Sequence, residues 1–242
     1  MGAAAMVFVE DLGSPSLTSG DAHHLLDVLR LRPGAPVVAS DGAGRWVPCR
    51  VPAGVGPSGR ARPVDRARLL VVDGPVTASP APRPPLTVAF APTKGDRPER
   101  VTRTLTELGV DRIVPIRSAR SVVRWEGPRG DRAVERLRRV AREAAAQCRR
   151  PWLPEVSPPT DLDALAVRTG VPICLAQPGG RAPSLDPPGL TVGPEGGWDA
   201  DELARYGPGV GLGPTVLRAE TAAVAAGAVL CALRSGMVGS LA

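Results

Sequence analysis

Two glycine-bearing segments near the C-terminus hold the residue types best suited to chemistry. They are Gly193-Pro194-Glu195-Gly196-Gly197-Trp198 and Leu212-Gly213-Pro214-Thr215-Val216-Leu217-Arg218-Ala219-Glu220-Thr221-Ala222. Each lies where an apolar, strand-like run gives way to a helix-like run, the kind of junction where α/β proteins bind ligands. Glycine there lets backbone N–H and C=O groups approach a ligand with no Cβ in the way. A dinucleotide site would instead place G-x-G-x-x-G after the first strand of the unit. The run Leu86 to Ala91 is followed by Pro92-Thr93-Lys94-Gly95-Asp96, which lacks that fingerprint, and no Walker A loop is present.

The elements that must carry these loops read as alternating strand and helix. Leu86 to Ala91 predicts a strand. Asp96 then offers an N-cap, with Glu99 three residues on as in a capping box, ahead of Val101, Leu105 and Leu108 at helical spacing. Ile113 to Ile116 is the next strand, and Asp131 opens a long helix with Val134, Leu137, Ala141, Ala144 and Cys148 on one face. Val171 to Ala176, Leu190 to Val192 and Val210 to Leu212 read as strands, with helices over Ala200 to Tyr206 and Ala219 to Leu233. That alternation predicts a parallel sheet with helices on both faces.

The first 74 residues read differently. A short helix around Leu25, Leu26 and Leu29 precedes a hairpin of Val37 to Ser40, a turn at Asp41-Gly42-Ala43-Gly44, and Trp46 to Val51. Pro52 to Pro63 reads as a loop and Ala67 to Val72 as another strand. Residues 75–85 are proline-rich and read as a semi-rigid linker. The expected division is therefore 1–74, a small β domain, then the linker, then 86–242, an α/β domain.

The chain has 242 residues, 43% hydrophobic and 22% charged, an ordinary soluble composition. No run reaches the roughly 18 apolar residues of a membrane span, and the first residues make a poor signal peptide. A cytoplasmic location is expected. Cys49, Cys148, Cys174 and Cys231 form no CxxC pair, and the two histidines, His23 and His24, are neighbours. No metal site is expected. The net charge is +6, and Lys94 is the sole lysine. Between Arg97 and Arg150 lie 15 arginines against 7 acidic residues. Coding bias explains arginine over lysine, as the absence of asparagine attests, but it does not explain the local excess. A polyanionic partner such as a nucleic-acid backbone is expected.

Taken as a pair, the two glycine segments resemble the cofactor loops of the RsmE family. These are SPOUT-superfamily methyltransferases that modify N3 of a uridine in 16S (small-subunit) ribosomal RNA. The resemblance extends through Asp21 to Gly34 with Asp41 to Gly44, and through Thr93 to Arg97, Glu107 to Val110, Ser121 to Arg124 and Arg142 to Arg150. It departs at Leu175-Ala176-Gln177-Pro178. The resemblance implies an α/β SPOUT trefoil-knot methyltransferase domain preceded by a small PUA-like RNA-binding β-barrel, acting as a homodimer on the small ribosomal subunit.

It further implies an S-adenosyl-L-methionine pocket formed by Leu175, Gly193, Pro194, Glu195, Gly196, Gly197, Leu212, Gly213, Leu217, Arg218 and Thr221. Arg218 and Glu220, in a run like the family's L-R-x-E-T-A, are the implied catalytic residues. Glu195 suits a hydrogen bond to the cofactor or the N-terminus of the next helix, and Glu220 suits either the substrate base or the cap of the last helix. Implied RNA contacts are Arg30, Arg32, Lys94, Arg97, Arg124, Gln147, Arg149 and Arg150. The alternatives are a 2′-O-ribose methyltransferase, which leans on an asparagine this chain lacks, and a non-catalytic rRNA-binding assembly factor.

Overall fold

The computed structural model describes residues 3–53 and 70–239. The expected loop Pro52 to Pro63 and the first residues of the strand Ala67 to Val72 lie largely outside that range. The chain divides into two compact units: Met1–Ala81 with Ala145–Leu153, and Pro82–Ala144 with Pro154–Ala242.

In the first unit, β1 (Ala5–Phe8) runs parallel to β2 (Pro36–Ser40), and β2 pairs antiparallel with β3 (Arg45–Arg50). Short strands β4 (Val71–Val72) and β5 (Thr77–Ala78) both pair with β3. Thr77 and Ala78, read from sequence as linker, thus belong to this sheet. Thr18 caps α1 (Ser19–His23) by accepting from the Asp21 N–H, and the helix continues as a π-turn over His24–Val28. That turn buries Leu25 and Leu26 against Val7, Val37 and Val47. The other sheet face takes Met6, Phe8 and Val38 against Ala145. The Leu153 N–H donates to the Gly42 carbonyl at 2.8 Å and the Gly44 N–H to the Pro151 carbonyl at 3.1 Å. A Cβ on Gly44 would come within 2.3 Å of the Trp152 ring, so only glycine fits there. These contacts give Ala145–Leu153 to the first unit.

The second unit is built on a parallel sheet in the order β11 (Gly189–Val192), β6 (Thr87–Phe90), β7 (Arg112–Arg117), β8 (Glu155–Val156), with β9 (Thr160–Asp161) also beside β7. Leu190 faces Val88, and Val88 faces Ile113. One sheet face packs Val88, Phe90 and Ile113 against α2 (Arg97–Leu108), α3 (Gly127–Gln147) and α6 (Ala219–Arg234). The other packs Ala89, Val114 and Ile116 against α4 (Leu162–Thr169) and Trp198, with Leu203 and Tyr206 of α5 (Ala200–Tyr206) alongside. Helices on both faces follow from strands β6 and β11 that are buried along their whole length.

Several boundaries differ from the sequence reading. Asp96 stands at the N-cap of α2 but its side chain caps nothing, and Glu99 turns away to pair with Arg136 of α3. The expected capping box yields to an interhelix ion pair. Helix α3 begins at Gly127, four residues before Asp131, with Pro128 in its first turn. The strand expected over Val171 to Ala176 is instead β10 (Ala176–Arg181), and Leu175 makes only an isolated bridge to Thr191. Val210 likewise makes isolated bridges rather than a strand. Of these apolar runs only Cys174, Leu175 and Val210 are buried, and isolated bridges join Leu175 and Val210 to their neighbours without a full ladder.

Candidate active site

Strands β6 and β11 end side by side, and their C-terminal ends open onto a cavity of about 780 Å³ within the second unit. That volume lies in the range of small-molecule sites, roughly 300–1,000 Å³. Three chain segments supply most of its wall, with Arg97 and Leu203 beside them. The first is Val192-Gly193-Pro194-Glu195 with Gly197 and Trp198, the second is Ala176-Gln177-Pro178, and the third runs from Leu212 and Gly213 through Leu217 and Arg218 to Ala222.

The local chemistry explains why these loops hold their shape. The Trp198 indole N–H donates to the Ala176 carbonyl at 2.9 Å, tying the first segment to the second. A Cβ on Gly193 would stand 2.9 Å from that indole, so the strand can turn past the ring only as glycine. Gly197 adopts φ 72° and Gly213 φ 140°, left-handed backbone that favours glycine. From outside, Arg120 donates to the Gly196 carbonyl at 3.2 Å and lies 3.7 Å from Asp199. Asp199 and Glu202 form the capping box of α5, so the helix after Trp198 needs no charge from Glu195.

Glu195 is spent on Arg97 instead, at 2.9 Å. Arg97 Nε also lies 3.7 Å from Glu220 Oε1, so one guanidinium on the cavity wall bridges the Gly193 loop and the first turn of α6. The second oxygen, Glu220 Oε2, is buried without a hydrogen-bond partner in the structure. A buried carboxylate oxygen left unpaired is costly, and a donor arriving with a ligand would relieve it. Arg218 stands at the N-cap of α6 in extended backbone, exposed, and no carboxylate among the described residues pairs with it. The cavity thus offers apolar walls (Val192, Leu212, Leu217), turning backbone and an uncommitted guanidinium.

Of the expected cofactor residues, Gly193, Pro194, Glu195, Gly197, Leu212, Gly213, Leu217 and Arg218 line this cavity. Leu175, Gly196 and Thr221 do not. Leu175 is 1% exposed beneath it among the residues under Trp198. Gly196 faces Arg120, and Thr221 is exposed on the next face of α6. Glu220 lies between the lining residues Ala219 and Ala222. Trp198, Val216 and Ala222, inside the two glycine segments, line the cavity too, and so does Gln177, from the stretch Leu175 to Pro178 where the resemblance departs. The eight expected RNA residues divide: Lys94, Arg97 and Arg124 belong to the second unit, and Arg30, Arg32, Gln147, Arg149 and Arg150 to the first. All but the half-buried Arg97 and Arg150 are exposed.

Matches to known proteins assign the parallel sheet with its late glycine-loop cavity, and the small β unit, to the RNA methyltransferases of the SPOUT type with a PUA-like domain. Residues 79–231 match the RNA methyltransferase domain model and residues 17–52 the RNA methyltransferase PUA domain model. The chain is 35% identical to ribosomal RNA small subunit methyltransferase E of Mycobacterium bovis, over 93% of this chain and 91% of that one. The Bacillus subtilis protein of the same name is 26% identical over 88% of both. Among solved structures, a probable rRNA methyltransferase from Porphyromonas gingivalis superposes with a TM-score of 0.78 at 25% identity, covering 97% of this chain and all of that one. The ribosomal RNA small subunit methyltransferase E of Neisseria gonorrhoeae bound to S-adenosyl methionine gives 0.73 at 25% identity, over 95% and 97%. The chain belongs to the ribosomal RNA small subunit methyltransferase E family.

Proposed function

We propose that this protein methylates N3 of a uridine in 16S rRNA, using S-adenosyl-L-methionine held in the cavity between the Gly193 and Gly213 loops. The observation that carries this reading is the cavity itself: apolar walls and glycine backbone, with no cradle of several cations such as a phosphate-bearing cofactor would want. When bound, the cofactor supplies a methyl group activated by its positive sulfur. Val192, Leu212 and Leu217 cover its apolar faces, and backbone of the two glycine segments meets its polar edges. Arg97 keeps the Gly193 loop closed through Glu195.

The protein's remaining task is to hold the base and manage one proton. Uracil N3 is a weak nucleophile until its proton leaves, and negative charge then spreads to the flanking oxygens. Arg218 stabilises that charge. Glu220, two residues further along with an unpartnered oxygen, accepts the imide proton. Positioning contributes the rest. The protein works in the cytoplasm as a homodimer. Val216, 83% exposed on the cavity rim, is an apolar side chain that a second copy would cover.

Isothermal titration with S-adenosyl-L-methionine, followed by turnover on small-subunit rRNA, tests the assignment. Arg218→Ala is expected to leave cofactor affinity within about threefold and to lower kcat about 10²-fold, the usual effect of removing one charge-stabilising donor. No binding of the cofactor by the native protein would support a non-catalytic rRNA-binding role instead.

A further inference from the structure

Helices α2 and α3 lie on the same face of the sheet, and the contacts fix how they are turned. Arg136 of α3 pairs with Glu99 of α2, so that flank of α3 looks toward α2. On the opposite flank Arg138 donates to the Val156 carbonyl of β8 at 3.1 Å. Residues sharing the Arg136 flank, three and four positions apart, are Arg129, Arg132 and Arg139. They succeed one another by about one helical turn, roughly 5 Å of rise. On α2, Arg100 and Arg103 stand on the solvent side, one and two turns beyond Arg97 of the cavity wall.

Two of these cations are already engaged, Arg136 with Glu99 and Arg139 with Glu143 at 3.9 Å. The other four, Arg100, Arg103, Arg129 and Arg132, are exposed, and among the described residues none has an acidic partner. Even Glu107, one turn past Arg103, does not pair with it. Four guanidiniums without acidic partners on two adjoining helices concentrate positive charge, a surface that favours a polyanion. Arginine forks suit phosphate oxygens.

We infer that Arg100, Arg103, Arg129 and Arg132 form a phosphate-binding ridge that carries the rRNA strand away from the cavity mouth along α2 and α3. The inference rests on the RNA methyltransferase reading and adds to it a surface distinct from the first unit and from the cavity. The ridge binds backbone, so it contributes affinity without sequence choice.

The test is the salt dependence of binding of deproteinised small-subunit rRNA to the full-length protein. For R100Q/R103Q/R129Q/R132Q the slope of log Kd against log salt is expected to fall by about 3, at roughly 0.7 per phosphate contact. Cofactor affinity measured on the same sample stays native, which reports an intact fold, and the corresponding four-lysine variant keeps most of the slope. If the four-glutamine protein does not fold, R129Q/R132Q alone is expected to lower the slope by about 1.4. A native slope in either glutamine variant overturns the ridge. Failure of the native protein to bind the cofactor overturns the methyltransferase reading, whatever the slopes show.

Discussion

Gly193 and Gly196 of the Gly193 loop sit in opposite environments, and this separates a binding position from a scaffolding one. A methyl group at Gly193 meets the Trp198 indole at 2.9 Å, whereas at Gly196 it meets Arg120 at an ordinary 3.6 Å. Gly193→Ala is therefore expected to displace the cavity wall and weaken S-adenosyl-L-methionine about tenfold, ~1.4 kcal/mol, while Gly196→Ala stays within about twofold by calorimetry. Equal affinities would show that the loop does not bound the cofactor. Tyr206, the chain's one tyrosine, offers a separate residue-scale check of the α4–α5 side of the unit. Burial first, then its 2.5 Å hydrogen bond to Asp163 and that carboxylate's charge, push its phenol up to about 12. Because the folded value is raised, its contribution to stability is whole below pH 10 and fades as pH climbs from 10 to 12. Ultraviolet titration of native protein is expected to show ionisation near pH 12, and Asp163→Asn to bring it down toward 10.

At the scale of elements, the last helix is a packing device before anything else. Ala223, Ala226 and Gly227 of α6 are buried against the sheet and α2, and a Cβ on Gly227 would lie 2.3 Å from Leu105 Cδ2. The small-residue face at Ala222, Ala225, Ala226 and Gly227 leaves open from sequence whether it serves this chain or a partner; Ala226 and Gly227 serve this chain. Gly227→Val is expected to cost about 1–3 kcal/mol by overpacking, read as a lowered denaturant midpoint. Strands β6, β7 and β11 and helices α2, α5 and α6 were legible because burial and period agreed there, and at Gly109, whose φ of 105° ends α2, the C-terminal cap agreed as well. Legibility failed where those signals part. Leu175 and Val210 are buried and pair only through isolated bridges, so the apolar runs around them read as longer strands than form. Glu99 had a cap within reach but found a stronger partner in Arg136 across the helix pair.

For the whole molecule, the candidate site was legible because both glycine segments fall on one cavity, although some 20 residues apart in sequence. What sequence spacing did not reveal was the pairing between distant parts of the chain: Arg97 with Glu195, 98 residues on, and with Glu220, or Trp198 with Ala176. Arg97 was expected among RNA contacts, yet it is held between two carboxylates on the cavity wall. Nor did the proline-rich stretch mark the whole of the division, since Ala145–Leu153 returns to the first unit. An Arg234 side chain at the end of α6 joins the Asp111 carboxylate and donates to the Gly109 carbonyl at 2.7 Å, closing the second unit from a position near the end of the chain.

The central claim is that the late glycine cavity serves methylation of uridine N3 in small-subunit rRNA. Nucleoside mass spectrometry of that RNA, purified from cells lacking this protein, tests it most directly. The account expects N3-methyluridine to disappear and to return when the native chain, but not Arg218→Ala, is supplied. Undiminished N3-methyluridine in the deleted cells would contradict it.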